Sequence, residues 1–257
     1  MSHRAPRSSL FMLSYFSKTS RLGRVNTGSV AQRLADTPGV ARTILGAARA
    51  ARGMPGADPR AMSHSWLFTG PPGSGRSLAA IDFAAALMCT DPEEPGCGRC
   101  EACRAVLETK QHSDMVLVDP QEVIIPVDTV REVIGRAASL PTVAPWRVVI
   151  FNNADRLNNN GANALLKTVE EPPARTVIIM CAPSDAPEDF SQTLRSRCRH
   201  LYIPSPSVES ITAQLVSEGA SDHDAHLAAL TSLRHVGRAR RLVNDPAVQK
   251  RRAVAIN

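Results

Sequence analysis

The sequence predicts an α/β protein with a parallel sheet and helices on both of its faces. Apolar runs rich in β-branched and aromatic residues have the length and composition of buried strands. The predicted strands are residues 66–69, 115–118, 146–151, 176–182 and 201–203. The predicted helices between them are residues 77–88, 128–138 (with Asp128 as N-cap) and 157–170. A helical pattern also covers residues 30–52 before the first strand, and residues 208–216 and 222–243 after the last one. Strands that alternate with helices require crossover connections, which make the strands parallel.

The loop after the first strand has the spacing of a phosphate-binding loop. Gly70, Gly75 and Ser77 match the pattern G-x-x-x-x-G-K-[ST], and Arg76 stands where the pattern has lysine. Gly73 and Gly75 allow positive φ angles, so that successive backbone N–H groups face one concavity next to a helix N-terminus. We expect Ser77 to place its hydroxyl beside a bound magnesium ion. The alternative is a glycine turn that binds no ligand.

Four of the six cysteines lie within fifteen residues and predict a structural metal site. Cys89, Cys97, Cys100 and Cys103 have the spacing C-x7-C-x2-C-x2-C, and four thiolates can form a closed tetrahedral shell around zinc. Such clustering is typical of metal binding in a reducing compartment. The alternatives are free thiols or an iron–sulfur cluster, although the bacterial cluster pattern requires a cysteine where Leu107 stands.

Composition and charge suggest a two-part chain with an acidic partner. The net charge of +6 among 257 residues is consistent with binding to nucleic acid, and no apolar run is long enough to span a membrane. We therefore expect a cytoplasmic protein without a membrane partner. The predicted parts are a disordered extension (1–27), an α/β domain (28–205) with a zinc insert (89–103), and a helical lid (206–257). Other interpretations of residues 1–27 are a mitochondrial presequence or extra residues upstream of the true start.

Two further motifs make the interpretation more specific. Residues 163–173 read NALLKTVEEPP, and Ser196, Arg197 and Cys198 follow a later helical segment. Together with the phosphate loop and the cysteine insert, these motifs resemble the bacterial clamp-loader family of AAA+ proteins, the subunits of DNA polymerase III. The resemblance spans residues 66–198. It implies an AAA+ domain, a lid, and the other clamp-loader subunits (gamma/tau and delta), the sliding clamp and primer–template DNA as partners.

Within this family the sequence resembles the delta prime subunits, which generally do not hydrolyse ATP. Asn152 and Asn153 stand where the hydrolysing subunits carry Asp-Glu, and Arg76 replaces the lysine. Asparagine has no negative charge to hold magnesium and cannot act as a base. The resemblance therefore implies that ATP binding is weak or absent. The alternatives are a hydrolysing gamma/tau-like motor, or a stand-alone zinc-containing nucleic-acid-binding module.

The resemblance also assigns a role to Arg197. In a ring-shaped AAA+ assembly this residue would face the phosphate loop of the neighbouring subunit and act there as an arginine finger. The alternative is an arginine that only anchors its own domain through a salt bridge. The spacing from Gly237 to Arg240 also fits a phosphate-sensing arginine of the family, or a basic helix face. The family also has a third, helical collar domain that holds the assembly together. We expect the chain to stop short of it, either because it is a truncated form or because the natural product lacks this domain.

Overall fold

The structure, a computed structural model, describes residues 28–244. The predictions for residues 1–27 and for the basic C-terminal end lie outside these residues. The described part of the chain contains five strands: β1 (Ser65–Thr69), β2 (Met115–Val118), β3 (Arg147–Phe151), β4 (Thr176–Ala182) and β5 (Arg199–Tyr202). Its α-helices are α1 (Val30–Arg33), α2 (Pro38–Ala51), α3 (Arg76–Met88), α4 (Glu101–Arg104), α5 (Val127–Ala137), α6 (Asn159–Glu170), α7 (Gln192–Arg195), α8 (Val208–Ser217), α9 (Asp222–Thr231) and α10 (Val236–Asn244).

The five strands form one parallel sheet in the order β2-β3-β4-β1-β5, which confirms the predicted architecture. In this order β4 separates β3 from β1. The carboxyl ends of all five strands lie at the same edge, so the loops that follow them meet there. Open parallel sheets bind ligands at this edge. The glycine-rich loop after β1 and the two asparagines after β3 are therefore brought to the same end of the domain.

Helices cover both faces of the sheet because side chains alternate along each buried strand. Trp66 and Phe68 of β1 pack on one face with α2 and α3, whereas Leu67 packs on the other face with α5 and α6. The Trp66 ring contacts Phe83 of α3 edge-on, with centroids 5.1 Å apart. This contact fixes α3, and with it the loop that precedes α3, against β1.

Helices α8 to α10 form a third apolar cluster of their own. The sequence predicted one helix over residues 222–243, and this is wrong, because the chain breaks between α9 and α10. Leu233 and Arg234 have φ angles of 53° and 66°, which end α9. His235 then starts α10, since its ring Nδ1 accepts the N–H of Arg238 at 3.3 Å.

Helix starts also differ from the prediction, most clearly at α5 and at α2. Pro126, not Asp128, is the N-cap of α5, and the Pro126 carbonyl accepts the Val130 N–H at 3.2 Å. Asp128 instead lies in the first turn, paired with Arg131 at 3.1 Å. The helical pattern expected over residues 30–52 is divided into α1 and α2, because Pro38 has no N–H to continue a helix and begins a new one. No helix within residues 28–244 is long and apolar enough to cross a membrane.

Candidate functional site

The phosphate loop has the backbone conformation that its sequence predicts. Gly73 and Gly75 have φ angles of 89° and 90°, and Gly75 is the N-cap of α3. The first turn of α3 therefore points its N–H groups toward the concavity of the loop, where the helix dipole favours an anion. The prediction that Gly70, Gly73, Gly75, Arg76 and Ser77 bind a nucleotide remains a prediction.

Arg76 turns back onto its own loop. Its Nη1 donates to the Gly70 carbonyl at 2.8 Å, and its Nη2 donates to Asn153 Oδ1 at 3.4 Å. Asn153 has a left-handed backbone, with φ of 51°, at the end of β3. The arginine thus connects the phosphate loop to the second of the two asparagines. The sequence did not predict this contact, because 77 residues separate the two side chains.

Three buried polar atoms at this end of the sheet have no hydrogen-bond partner within the described part of the chain: Ser74 Oγ, Arg76 Nε and Asn152 Oδ1. Ser74 Oγ lies over Gly70, 2.6 Å from the position that a Cβ would take there. A buried donor without a partner costs about 1–3 kcal/mol. A phosphate oxygen can accept from Ser74 and Arg76, so these donors fit a phosphate group. The unpartnered atom of Asn152 is an amide carbonyl oxygen, which is an acceptor without a negative charge.

A histidine from the C-terminal helices covers the loop. His235 packs on Gly73 so closely that its Cγ lies 2.4 Å from where a Cβ would stand. No signal in the sequence joins these two residues.

Arg240, which fits the spacing of a phosphate-sensing arginine, forms a bidentate pair with Glu218 of the α8–α9 turn, with an Nη2–Oε1 distance of 2.6 Å.

The four predicted metal ligands come together. The Sγ atoms of Cys89, Cys97, Cys100 and Cys103 all lie within 4.8 Å of one another. The sulfurs of Cys89 and Cys100 are 3.9 Å apart. A tetrahedral zinc site with Zn–S bonds of 2.3 Å would place its sulfurs about 3.8 Å apart. The set therefore fits zinc, and it offers four sulfurs, which leaves no coordination position for a substrate.

The electrostatics of this cluster lower the pKa of two cysteines, Cys89 and Cys100, and raise that of the other two, Cys97 and Cys103. A hydrogen bond from Cys103, together with backbone N–H groups of residues 91, 96 and 97, lowers the pKa of Cys89 to about 4, although burial opposes the shift. The same contact with Cys89, and burial, raise the pKa of Cys103. The opposite shifts of Cys89 and Cys103 thus come mainly from the hydrogen bond between the two side chains. A bound metal ion holds its cysteine ligands as thiolates.

Arg197 lies on the surface, outside both sites. Its Nε donates to Glu170 Oε1 at 2.5 Å, and its Nη1 donates to the Thr193 carbonyl at 2.8 Å. The side chains of Arg197 and Glu170 are 36 % and 45 % exposed. The pair joins the two motifs of the sequence, since Glu170 belongs to the VEEPP stretch and Arg197 follows Ser196. Its predicted role as an arginine finger is not tested by these contacts.

A parallel sheet with a glycine-rich phosphate loop after β1 and helices on both faces defines a protein with the P-loop fold. The structure is similar to the Thermotoga maritima RuvB Holliday junction branch migration motor, with a TM-score of 0.51 over 80 % of this chain and 60 % of that one, at 16 % identity. The sequence profile of the family described as DNA polymerase III, delta subunit, matches residues 57–207. The chain belongs to this family, which confirms the resemblance found in its motifs.

Two relatives illustrate the relationship. The DNA polymerase III subunit delta' of Pseudomonas aeruginosa is 35 % identical over 165 residues, which are 62 % of this chain and 49 % of the relative. The DNA polymerase III subunit gamma/tau of Mycobacterium tuberculosis is 33 % identical over 174 residues, which are 65 % of this chain and 30 % of the relative. The chain thus spans about half the length of the delta' protein that it matches.

Proposed function

We propose that the chain is a delta prime-like subunit of a DNA polymerase III clamp loader and that it helps to load the sliding clamp on primer–template DNA without hydrolysing ATP itself. The observation that carries the proposal is the pair of asparagines after β3, with Arg76 bonded to Asn153 and to the Gly70 carbonyl. A P-loop ATPase needs an acidic group at this place, to hold magnesium and to orient the attacking water. Two amides supply neither function.

The phosphate loop itself remains suited to an anion. The loop glycines, the first turn of α3 and the donors of Ser74 and Arg76 favour phosphate. The Ser77 hydroxyl is the one magnesium ligand of the motif that remains, and a single neutral hydroxyl holds the ion weakly. Nucleotide binding, where it occurs, is therefore weak and is not followed by hydrolysis.

The test is a steady-state phosphate-release assay on the isolated chain, repeated with clamp and primer–template DNA. We expect no release above background, and the same background for Ser77→Ala. A rate of about 1 per second, in the range of ordinary enzymes, that disappears in Ser77→Ala would show a working site and would support the motor alternative.

The partners follow from the family. The relatives are delta' and gamma/tau subunits of DNA polymerase III, so we propose gamma/tau and delta as partners, together with the clamp and DNA. Co-purification from cells tests this assembly. A stand-alone zinc-containing nucleic-acid-binding module would recover nucleic acid but no clamp-loader subunit.

Arg197 is proposed to act as an arginine finger on a neighbouring hydrolysing subunit. Exposed ion pairs contribute only about 0–1 kcal/mol, so a γ-phosphate can replace Glu170 as the partner of the guanidinium at little cost. Guanidinium donors aimed at the transferred phosphoryl group stabilise the charge that develops there.

The experiment compares Arg197→Ala with Arg195→Ala in a reconstituted clamp loader. Arg195 is a good control because it lies two residues away and also makes an exposed pair, with Asp185. We expect Arg197→Ala to lower DNA-stimulated hydrolysis at the adjoining site by about 10³-fold while the complex stays assembled. Equal hydrolysis in the two variants would mean that Arg197 only anchors its own domain.

Zinc is proposed as the metal of the four-cysteine site. A closed shell of four thiolates gives this ion a structural role, because it leaves no position open for water or substrate.

A further inference from the structure

We propose that the cysteine insert, once closed around its metal, is the anchor that holds helix α1 on the domain and places Arg33 against Asp82 in the phosphate-loop helix. The inference rests on the proposed zinc site, and it concerns what that site holds in place. It follows from two contacts of α1 and from the low stability of this short helix.

The first contact joins α1 to the insert. The Val30 N–H donates to the Gly96 carbonyl at 2.8 Å, and Val30 is fully buried. Gly96 has a φ of 76°, and a Cβ there would stand 2.4 Å from Val30 Cγ2. Only glycine fits this position without displacing α1. Gly96 directly precedes Cys97, so its place is set by the closed form of the cysteine loop.

The second observation is that α1 has little stability of its own. It contains four residues and is closed by a reciprocal cap in which Ser29 N donates to Gln32 Oε1 at 2.9 Å. A single helical turn does not persist in water, because its nucleation cost exceeds the gain from so few hydrogen bonds. Helix α1 therefore depends on its contacts with the rest of the domain.

The third contact joins α1 to α3. Arg33 Nε lies 2.5 Å from Asp82 Oδ1, with 10 % and 3 % of the side chains exposed. Asp82 lies on α3, less than two turns after Arg76 at the phosphate loop. An insert that releases Gly96 would release α1, and Asp82 would then lose this partner. The pair of Arg33 with Asp82 is thereby a second connection between the metal site and α3, beside Cys89, which directly follows that helix.

The experiment measures amide hydrogen exchange of the whole chain with zinc bound and after chelation, with metal analysis on the same samples. The reporter amides are those of Val30, Arg33 and Leu34, which donate to backbone carbonyls. We expect their protection to fall at least about tenfold on metal removal, while Asn152 in the sheet keeps its protection. Unchanged protection of the reporters in protein verified as metal-free would overturn the inference.

A variant separates this inference from the metal assignment. Gly96→Ala keeps all four thiols but places a methyl group against Val30, so it should expose the same three amides. The matched control is Gly56→Ala, since Gly56 has a φ of 73° and no atom within 4 Å of the added Cβ.

Equal exchange of the reporter amides in the two variants would overturn the inference. This comparison needs no chelator, so it remains valid if chelation unfolds the sheet. A preparation with no zinc would refute the metal proposal and, with it, the part that the ion plays in this anchor. The comparison of Gly96→Ala with Gly56→Ala does not depend on the ion and would still decide whether the insert holds α1.

Discussion

Replacement of Asp114 by Asn should destabilise the sheet that carries the two asparagines into the phosphate site. Asp114 is fully buried at the start of β2. Its oxygens accept the backbone N–H groups of Thr142 at 2.8 Å, Val143 at 2.7 Å and Ala144 at 2.9 Å. Its Oδ1 also lies 3.0 Å from Nη2 of Arg147, the first residue of β3. One carboxylate thus fixes the loop before β3 and the beginning of β3 itself.

The expected loss can be estimated from these contacts. In Asn, an NH2 group replaces one of the two carboxylate oxygens, so a donor faces the backbone N–H groups and their hydrogen bonds to that oxygen are lost. Each hydrogen bond to a charged acceptor contributes about 1.5–3 kcal/mol. It also leaves the Arg147 guanidinium, 8 % exposed, without a counter-charge, and breaking a buried pair costs about 3–5 kcal/mol. Because both effects arise in one hydrogen-bond network, they overlap and do not simply add. We expect Asp114→Asn to lower the free energy of unfolding by about 4 kcal/mol, a large part of the 5–15 kcal/mol typical of a domain.

Urea unfolding followed by circular dichroism measures this loss. The control is Asp128→Asn, which breaks a pair with Arg131 whose side chains are 87 % and 68 % exposed and should cost less than about 1 kcal/mol. Midpoints that are equal for the two variants would refute the argument from burial.

The pH dependence has a definite sign. Burial alone would raise the pKa of Asp114, but the three backbone N–H groups and Arg147 outweigh it and hold that pKa well below its usual range. Because the pKa is depressed in the folded state, the stabilisation is present above about pH 4, the pKa of an unfolded Asp. It is lost as the pH falls through the folded value, and Asp114→Asn should lack this acid-sensitive component.

Two other predictions concern the metal site and Asp82. Metal analysis should find one zinc per chain in the wild type. Cys100→Ser should lose the zinc, whereas Cys198→Ser should keep it because Cys198 lies outside the cluster. Much less than one equivalent in the wild type would contradict the assignment. Burial raises the pKa of Asp82 to about 6 although Arg33 lowers it, so the folded state gains stability as the pH falls from about 7 towards 4. This gain in the free energy of unfolding is at most about 3 kcal/mol, because the pKa of Asp82 differs by about two between the folded and unfolded states. Asp82→Asn should remove the gain. Identical pH profiles of stability for wild type and variant would show that Asp82 is not its source.

The sequence by itself determined the features that depend on neighbouring residues. The β-branched runs predicted the buried strands, and the glycine spacing predicted the positive φ angles of Gly73 and Gly75. The short spacing of the four cysteines predicted their cluster. Each of these patterns acts within about fifteen residues, so local conformational preferences and loop closure are enough to specify it. Where two local signals competed, as at Pro126 and Asp128, the prediction failed by the few residues that such competition allows.

Only the tertiary structure decided the partners of the functional side chains. The contacts of Arg76 with Asn153, of Arg197 with Glu170, and of His235 with Gly73 join residues that lie far apart in the chain. Helical and strand periodicity shows which face of an element is apolar, but it does not say which element will pack there. A guanidinium can pair with any nearby carboxylate or carbonyl oxygen, so its partner is chosen by the packing that brings one of them within hydrogen-bond distance.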